Sequence, residues 1–71
     1  MDASLVKKVL EAALLATREP LTPLELRKMF DEELAPETLR KLLDELREEW
    51  ADKPVELIQL ASGWRFRTRA E

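Results

Sequence analysis

Seventy-one residues, 45% apolar and 38% charged, suffice for one small domain, and are too polar for a membrane span and too apolar for a disordered tail. The chain has neither cysteine nor histidine, which excludes disulfides, thiolate or imidazole metal sites and the usual proton shuttle near neutral pH. Its net charge of −3 is the wrong sign for a general grip on a phosphate backbone.

The first helix is expected from Ser4 to Thr17, with Ser4 as its N-cap. At 100° per residue its apolar positions, among them Leu5, Val6, Val9, Leu10, Ala12, Leu14 and Ala16, fill an arc of about 200°, where a helix facing a single core needs about 100°. The domain packs this helix on two sides, or part of the arc meets a second protein chain, and the two can both hold. Val6, Leu10, Leu14 and Leu15 are therefore the first candidates for interface contacts.

Glu19-Pro20-Leu21-Thr22-Pro23-Leu24-Glu25-Leu26 spells a helix start. Thr22 is the expected N-cap, Pro23 the first helical residue and Glu25 the reciprocal partner of a capping box. Leu21 and Leu26 stand at the positions of a hydrophobic staple. Pro20 keeps the residues before the helix extended, so that they can pair briefly with a strand. Leu26, Met29 and Phe30 are expected to face the core, and Asp31-Glu32-Glu33 to end the helix. Pro36 opens a third helix whose Leu39, Leu42, Leu43, Leu46 and Trp50 repeat at helical spacing; Asp52-Lys53-Pro54 stops it.

Residues 55–69, VELIQLASGWRFRTR, change period and read as a hairpin. A two-residue Ser62-Gly63 loop would set Leu60 opposite Arg65. A three-residue Ala61-Ser62-Gly63 loop with Gly63 in a bulge pairs Leu60 with Trp64 and Ile58 with Phe66, and gathers the apolar residues on one face. The second register is preferred. It leaves Arg65, Arg67 and Arg69 on an outer face beside Gln59, Leu57 and Val55, and makes Leu57 and Arg67 the second pair of interface candidates. Helix, short helix, helix, hairpin is the order of a winged helix: a three-helix core plus a wing, mainly α, one domain over 1–71.

Catalysis is poorly supplied, because no base stands ready to activate Ser4, Ser62 or the threonines. No calcium-loop spacing and no phosphate-cradling glycine loop occur, Gly63 being the only glycine. The chain is thus expected to be non-catalytic, without cofactor, metal or small-molecule ligand. DNA binding is the rival reading, since winged helices are familiar DNA readers. The third helix, which would enter the major groove, carries five acids against three bases over residues 36–50. Three wing arginines alone would give weak, salt-sensitive contact. No signal peptide or membrane helix is legible, and a soluble, cytoplasmic protein is expected.

LEAALLATREPLTPLELRKMF (Leu10 to Phe30) and VELIQLASGWRFRTRAE (Val55 to Glu71) resemble the amino-terminal domain of bacterial segregation and condensation protein B. The features that carry this are Ala13-Leu14-Leu15, Glu19-Pro20-Leu21, the hairpin tip Ser62-Gly63-Trp64-Arg65 and the ending Thr68-Arg69. The resemblance implies a winged helix that forms homodimers. It also implies membership of the SMC–kleisin complex in chromosome condensation and segregation, with the kleisin subunit, segregation and condensation protein A, as partner and through it the SMC ATPase. A nucleoid-associated location follows, as does a second winged helix beyond this one, so that residues 1–71 would be the amino-terminal half of a two-domain protein.

Overall fold

The computed structural model describes residues 2–31 and 33–69; Glu32 of the acidic run and Glu71 of the closing motif lie outside them. Three helices, α1 (Ala3–Ala16), α2 (Pro23–Lys28) and α3 (Pro36–Glu49), are followed by an antiparallel hairpin of β1 (Val55–Leu60) and β2 (Gly63–Thr68). This is the expected winged helix.

α1 starts one residue earlier than expected and its cap lies two residues earlier. The Asp2 carboxylate, not Ser4, caps it and accepts from the Ser4 N–H at 3.0 Å. Asp-Ala-Ser offers two caps, and the acidic one adds a favourable charge at the helix N-terminus. At the far end the Thr17 hydroxyl accepts from the Glu19 N–H at 3.2 Å, turning the chain into the Pro20-restricted segment.

α2 starts as its sequence dictates. Thr22 Oγ1 accepts from the Glu25 N–H at 3.1 Å, and Glu25 Oε1 accepts from the Thr22 N–H at 2.9 Å. The helix is short, ending at Lys28 with Met29 as C-cap, before the acidic run. Its one inward turn is taken by fully buried Leu26, with Phe30 packed alongside. Met29, expected in the core, is 44% exposed, because a C-cap on so short a helix already lies past the inward face. Asp31 then takes a left-handed conformation, φ 54°, which a short acidic side chain tolerates, and reverses the chain toward α3. Arg27 Nε donates to the Leu34 carbonyl at 2.8 Å across this corner.

Four leucines of α3, Leu39, Leu42, Leu43 and Leu46, are buried against Val6, Leu10 and Leu14 of α1 and against Leu57, Trp64 and Phe66 of the hairpin. Trp50, the α3 C-cap, sets its ring 4.9 Å from that of Phe66 and donates from Nε1 to Glu11 Oε1 at 2.7 Å.

The hairpin adopts neither expected register. Leu57 pairs with Phe66, Gln59 with Trp64 and Leu60 with Gly63, around a two-residue Ala61-Ser62 turn and without a bulge. Gly63 has the expected positive φ, +134°, but outside the turn. The cause is a third strand segment. Leu21 and Trp64 exchange both backbone hydrogen bonds, N–H of Leu21 to O of Trp64 at 2.9 Å and N–H of Trp64 to O of Leu21 at 2.8 Å. This bridge fixes which way Trp64 points, and burial of Trp64, Phe66 and Leu57 against α1 and α3 outweighs the gathering of Ile58 and Leu60 on the same face. The outer face of the wing holds Glu56, Ile58 and Leu60 with Arg65 and Arg67, not Gln59, Leu57 and Val55.

A Cβ on Gly63 would lie 2.4 Å from the Leu21 carbonyl oxygen and 2.9 Å from the Thr22 nitrogen. Gly63→Ala combines that clash with a φ that side chains rarely adopt, so chemical denaturation should show a loss of roughly 2–3 kcal/mol. Ser62→Ala, one residue away in the exposed turn, should stay within about 0.5 kcal/mol. The backbone bond from Thr22 holds the Glu25 carboxyl below the ordinary carboxylate range. A depressed folded value means stability present at neutral pH and lost as pH falls through it. The stability difference between wild type and Glu25→Gln, followed by thermal melts from pH 7 downward, should therefore shrink toward zero in acid.

Candidate functional site

α1 has three sides. One faces the core through Val6, Leu10 and Leu14, exposed by 2%, 0% and 0%. A second is tied to α3: Lys7 Nζ donates to Glu45 at 3.2 Å and also to Glu49, and Glu11 accepts from Trp50. These hydrogen bonds, that to Glu49 first, hold the Lys7 ammonium above the ordinary lysine range. The third side is apolar and uncovered. Leu5 is 59% exposed and Val9 38%, and Ala12 and Ala16 are exposed in line with them. The positions 5, 9, 12 and 16 repeat at helical spacing and form a second stripe. Leu15, 48% exposed, borders it three residues from Ala12.

Four of the six residues expected at an interface are therefore committed elsewhere. Val6, Leu10, Leu14 and Leu57 are core residues in this fold. Leu57 belongs to the buried face because the hairpin register differs by one residue from the expected one, which exchanges the two faces of β1. Leu15 is where it was expected, on the surface. Arg67 is exposed but not free: its Nε donates to Glu56 Oε2 at 3.1 Å. Leu5 and Val9, which replace the buried candidates, lay within the same sequence arc. Dividing an arc of about 200° into two stripes of about 100° would have separated them.

The positive charge on the wing and on α3 is largely engaged within the domain. Arg69 reaches back from the end of the hairpin, donating to the carbonyls of Lys53 at 3.1 Å and Trp50 at 3.0 Å and to Glu56 at 3.2 Å. It thus closes the carbonyl end of α3. Arg40 and Arg47 lie over the Trp64 ring, at 5.6 and 4.9 Å from its centroid, and share Asp44. Among the described residues no cluster could hold a metal ion, and no helix is long and apolar enough to cross a membrane.

The sequence profile of segregation and condensation complex subunit ScpB matches residues 8–71. A segregation and condensation protein B homolog from Coxiella burnetii (strain RSA 493 / Nine Mile phase I) is 43% identical over 67 residues, 92% of this chain and 32% of the relative. The crystal structure of ScpB from Mycobacterium tuberculosis superposes with a TM-score of 0.86 at 32% identity, covering 99% of this chain and 44% of that one. A conserved hypothetical protein from Chlorobium tepidum has the same fold, with a TM-score of 0.81 at 23% identity over 94% of this chain and 43% of that one. The chain spans about a third of the curated relative and less than half of either solved chain.

The division of α1 into a core side and an open side has a direct check. In dilute solution Leu10→Ala or Leu14→Ala should cost roughly 2–5 kcal/mol of stability, as buried leucines do. Leu5→Ala and Val9→Ala should stay within about 0.5 kcal/mol, measured by urea denaturation at nanomolar protein.

Proposed function

The chain belongs to the ScpB family of segregation and condensation complex subunits, and we propose that it is a non-catalytic winged-helix module that self-associates through the open side of α1. The observation that carries this reading is the stripe of Leu5, Val9, Ala12 and Ala16, left uncovered while Val6, Leu10 and Leu14 of the same helix pack into the core. A second copy that buries it removes apolar surface from water at about 25 cal/mol per Å² and compensates for the small core of so short a chain. A standard interface takes about 800 Å² from each partner, more than one helical stripe supplies. The stripe is then the centre of the contact, with Leu15 at its margin.

Within the complex the module contacts the kleisin subunit, segregation and condensation protein A, and through it the SMC ATPase, at the nucleoid. Membership of a segregation and condensation complex family supports this reading. We further infer that residues 1–71 form the amino-terminal half of a two-domain protein, a reading for which the shares of 32% and 44% of the relatives leave room. The acidic α3, with its arginines held over Trp64, speaks against DNA reading by this domain.

Size-exclusion chromatography with light scattering at micromolar concentration should give a dimer. Leu5→Glu with Val9→Glu should give a folded monomer with an unchanged circular dichroism spectrum. A wild-type monomer at the highest soluble concentration removes the self-association claim. Tight duplex-DNA binding that collapses between about 50 and 200 mM salt and needs Arg65 and Arg67 would favour the DNA reading instead.

A further inference from the structure

The side chains on the open side of α1 also decide how a second copy can lie on it. At about 100° per residue, the centre of the stripe Leu5, Val9, Ala12 and Ala16 stands about 130° from that of the buried Val6, Leu10 and Leu14. It stands about 150° from the Lys7–Glu11 side that is tied to α3. The stripe therefore points away from the body of the domain. A second helix can approach it over its whole length, about 16 Å from Leu5 to Ala16.

Size is unevenly distributed along this stripe. Leu5 and Val9 occupy its N-terminal half, Ala12 and Ala16 its C-terminal half. The spacing is symmetric: Leu5 and Ala16, like Val9 and Ala12, are equally distant from the midpoint between Leu10 and Glu11. Two such helices run antiparallel about a twofold axis at that midpoint set Leu5 against the partner's Ala16 and Val9 against the partner's Ala12. Every level then pairs one large and one small side chain, and the axes keep one separation within the usual range of about 8–10 Å. A parallel twofold would stack leucine on leucine and valine on valine at one end and alanine on alanine at the other. The large pairs would prop the helices apart, and the alanines would lose their contacts.

The rim of the stripe favours the same orientation. Lys8 is exposed, about 40° from Ala12 on the helix surface. A parallel twofold would bring it against the partner's Lys8, a like-charge contact. The antiparallel one separates the two lysines by about 7.5 Å along the axis. It also brings each to within about 3 Å of the level of the partner's Leu15, on the same flank. The lysine stem can cover that leucine, 48% exposed in the single domain, while the ammonium stays in water. Antiparallel helices further set each positive N-terminus beside a negative C-terminus.

We propose, on the basis of the self-association set out above, that two copies join through an antiparallel α1–α1 contact with Leu5 against Ala16, Val9 against Ala12 and Lys8 over Leu15. Such a contact is self-complementary, so it closes at two copies and leaves no stripe open for a third.

The test uses cysteine, which the chain lacks. Leu5→Cys and Ala16→Cys are prepared singly, mixed, oxidised and weighed by mass spectrometry. The expected product is the mixed disulfide. Neither variant alone should link to itself, because like positions lie about 16 Å apart in the antiparallel pair, beyond the reach of a disulfide. The second measurement is the dimer Kd. Leu5→Ala and Ala16→Leu should each weaken the dimer about tenfold, by a gap and by crowding respectively. The double variant, in which large and small exchange sides, should return to within about threefold of wild type. A wild-type dimer in which Leu5→Cys links to itself, in which the mixed pair does not link, or which Ala16→Leu tightens would overturn the antiparallel contact and leave self-association standing. A wild-type monomer at the highest soluble concentration would overturn both.

Discussion

Two backbone hydrogen bonds between Leu21 and Trp64 hold the helical part and the wing together, and most of the molecule's asymmetry follows from them. They can form only because Gly63 has no Cβ, which would otherwise lie 2.4 Å from the Leu21 carbonyl oxygen. They also need Pro20 to keep the preceding segment extended. Once made, the bridge orients Trp64 inward, which buries Phe66 and Leu57, leaves Ile58 half-buried and exposes Leu60. The same two bonds place Leu21 on one side of β2 and β1 on the other. β1 is left on the side of β2 away from Leu21.

The electrostatics follow a similar economy. A chain with 12 bases and 15 acids uses many of its charges as internal straps. Lys7 joins α1 to α3, Arg69 joins the hairpin to the last carbonyls of α3, and Arg40 and Arg47 roof the Trp64 ring. Individually, half-exposed pairs of this kind contribute about 1 kcal/mol or less. Their effect is to fix orientation.

Local signals in the sequence were legible and non-local ones were not. The Thr22–Glu25 capping box, the leucine repeat of α3 and the extended Glu19–Leu21 segment depend on residues a few positions apart, and each formed as read. The hairpin register failed because it was judged within the hairpin, by how many apolar side chains share a face. The deciding partner, Leu21, lies more than forty positions upstream of Trp64. The burial of four interface candidates escaped the sequence for a related reason. The breadth of the α1 arc correctly signalled more apolar surface than one core covers, but which half the core takes depends on where α3 and the wing lie. Periodicity gives the angle between two stripes and not their absolute direction. Leu15, Leu5 and Val9 lie on the surface, and Val6, Leu10 and Leu14 lie in the core.

The acids of α3 explain how a fold associated with DNA reading can present the wrong sign where it would meet the groove. Glu45 and Glu49 bind Lys7 of α1, and Asp44 anchors Arg40 and Arg47 over Trp64. Three of the five acids on this helix thus hold α1 and the wing in place. A recognition helix that must grip its neighbours through carboxylates repels a phosphate backbone as a consequence. Reversing those charges to attract DNA would loosen the joint between α1 and α3. The negative α3 and the open apolar side of α1 are therefore two results of one arrangement: charge secures α1 along one side, the core holds the next, and the remaining side is left uncovered.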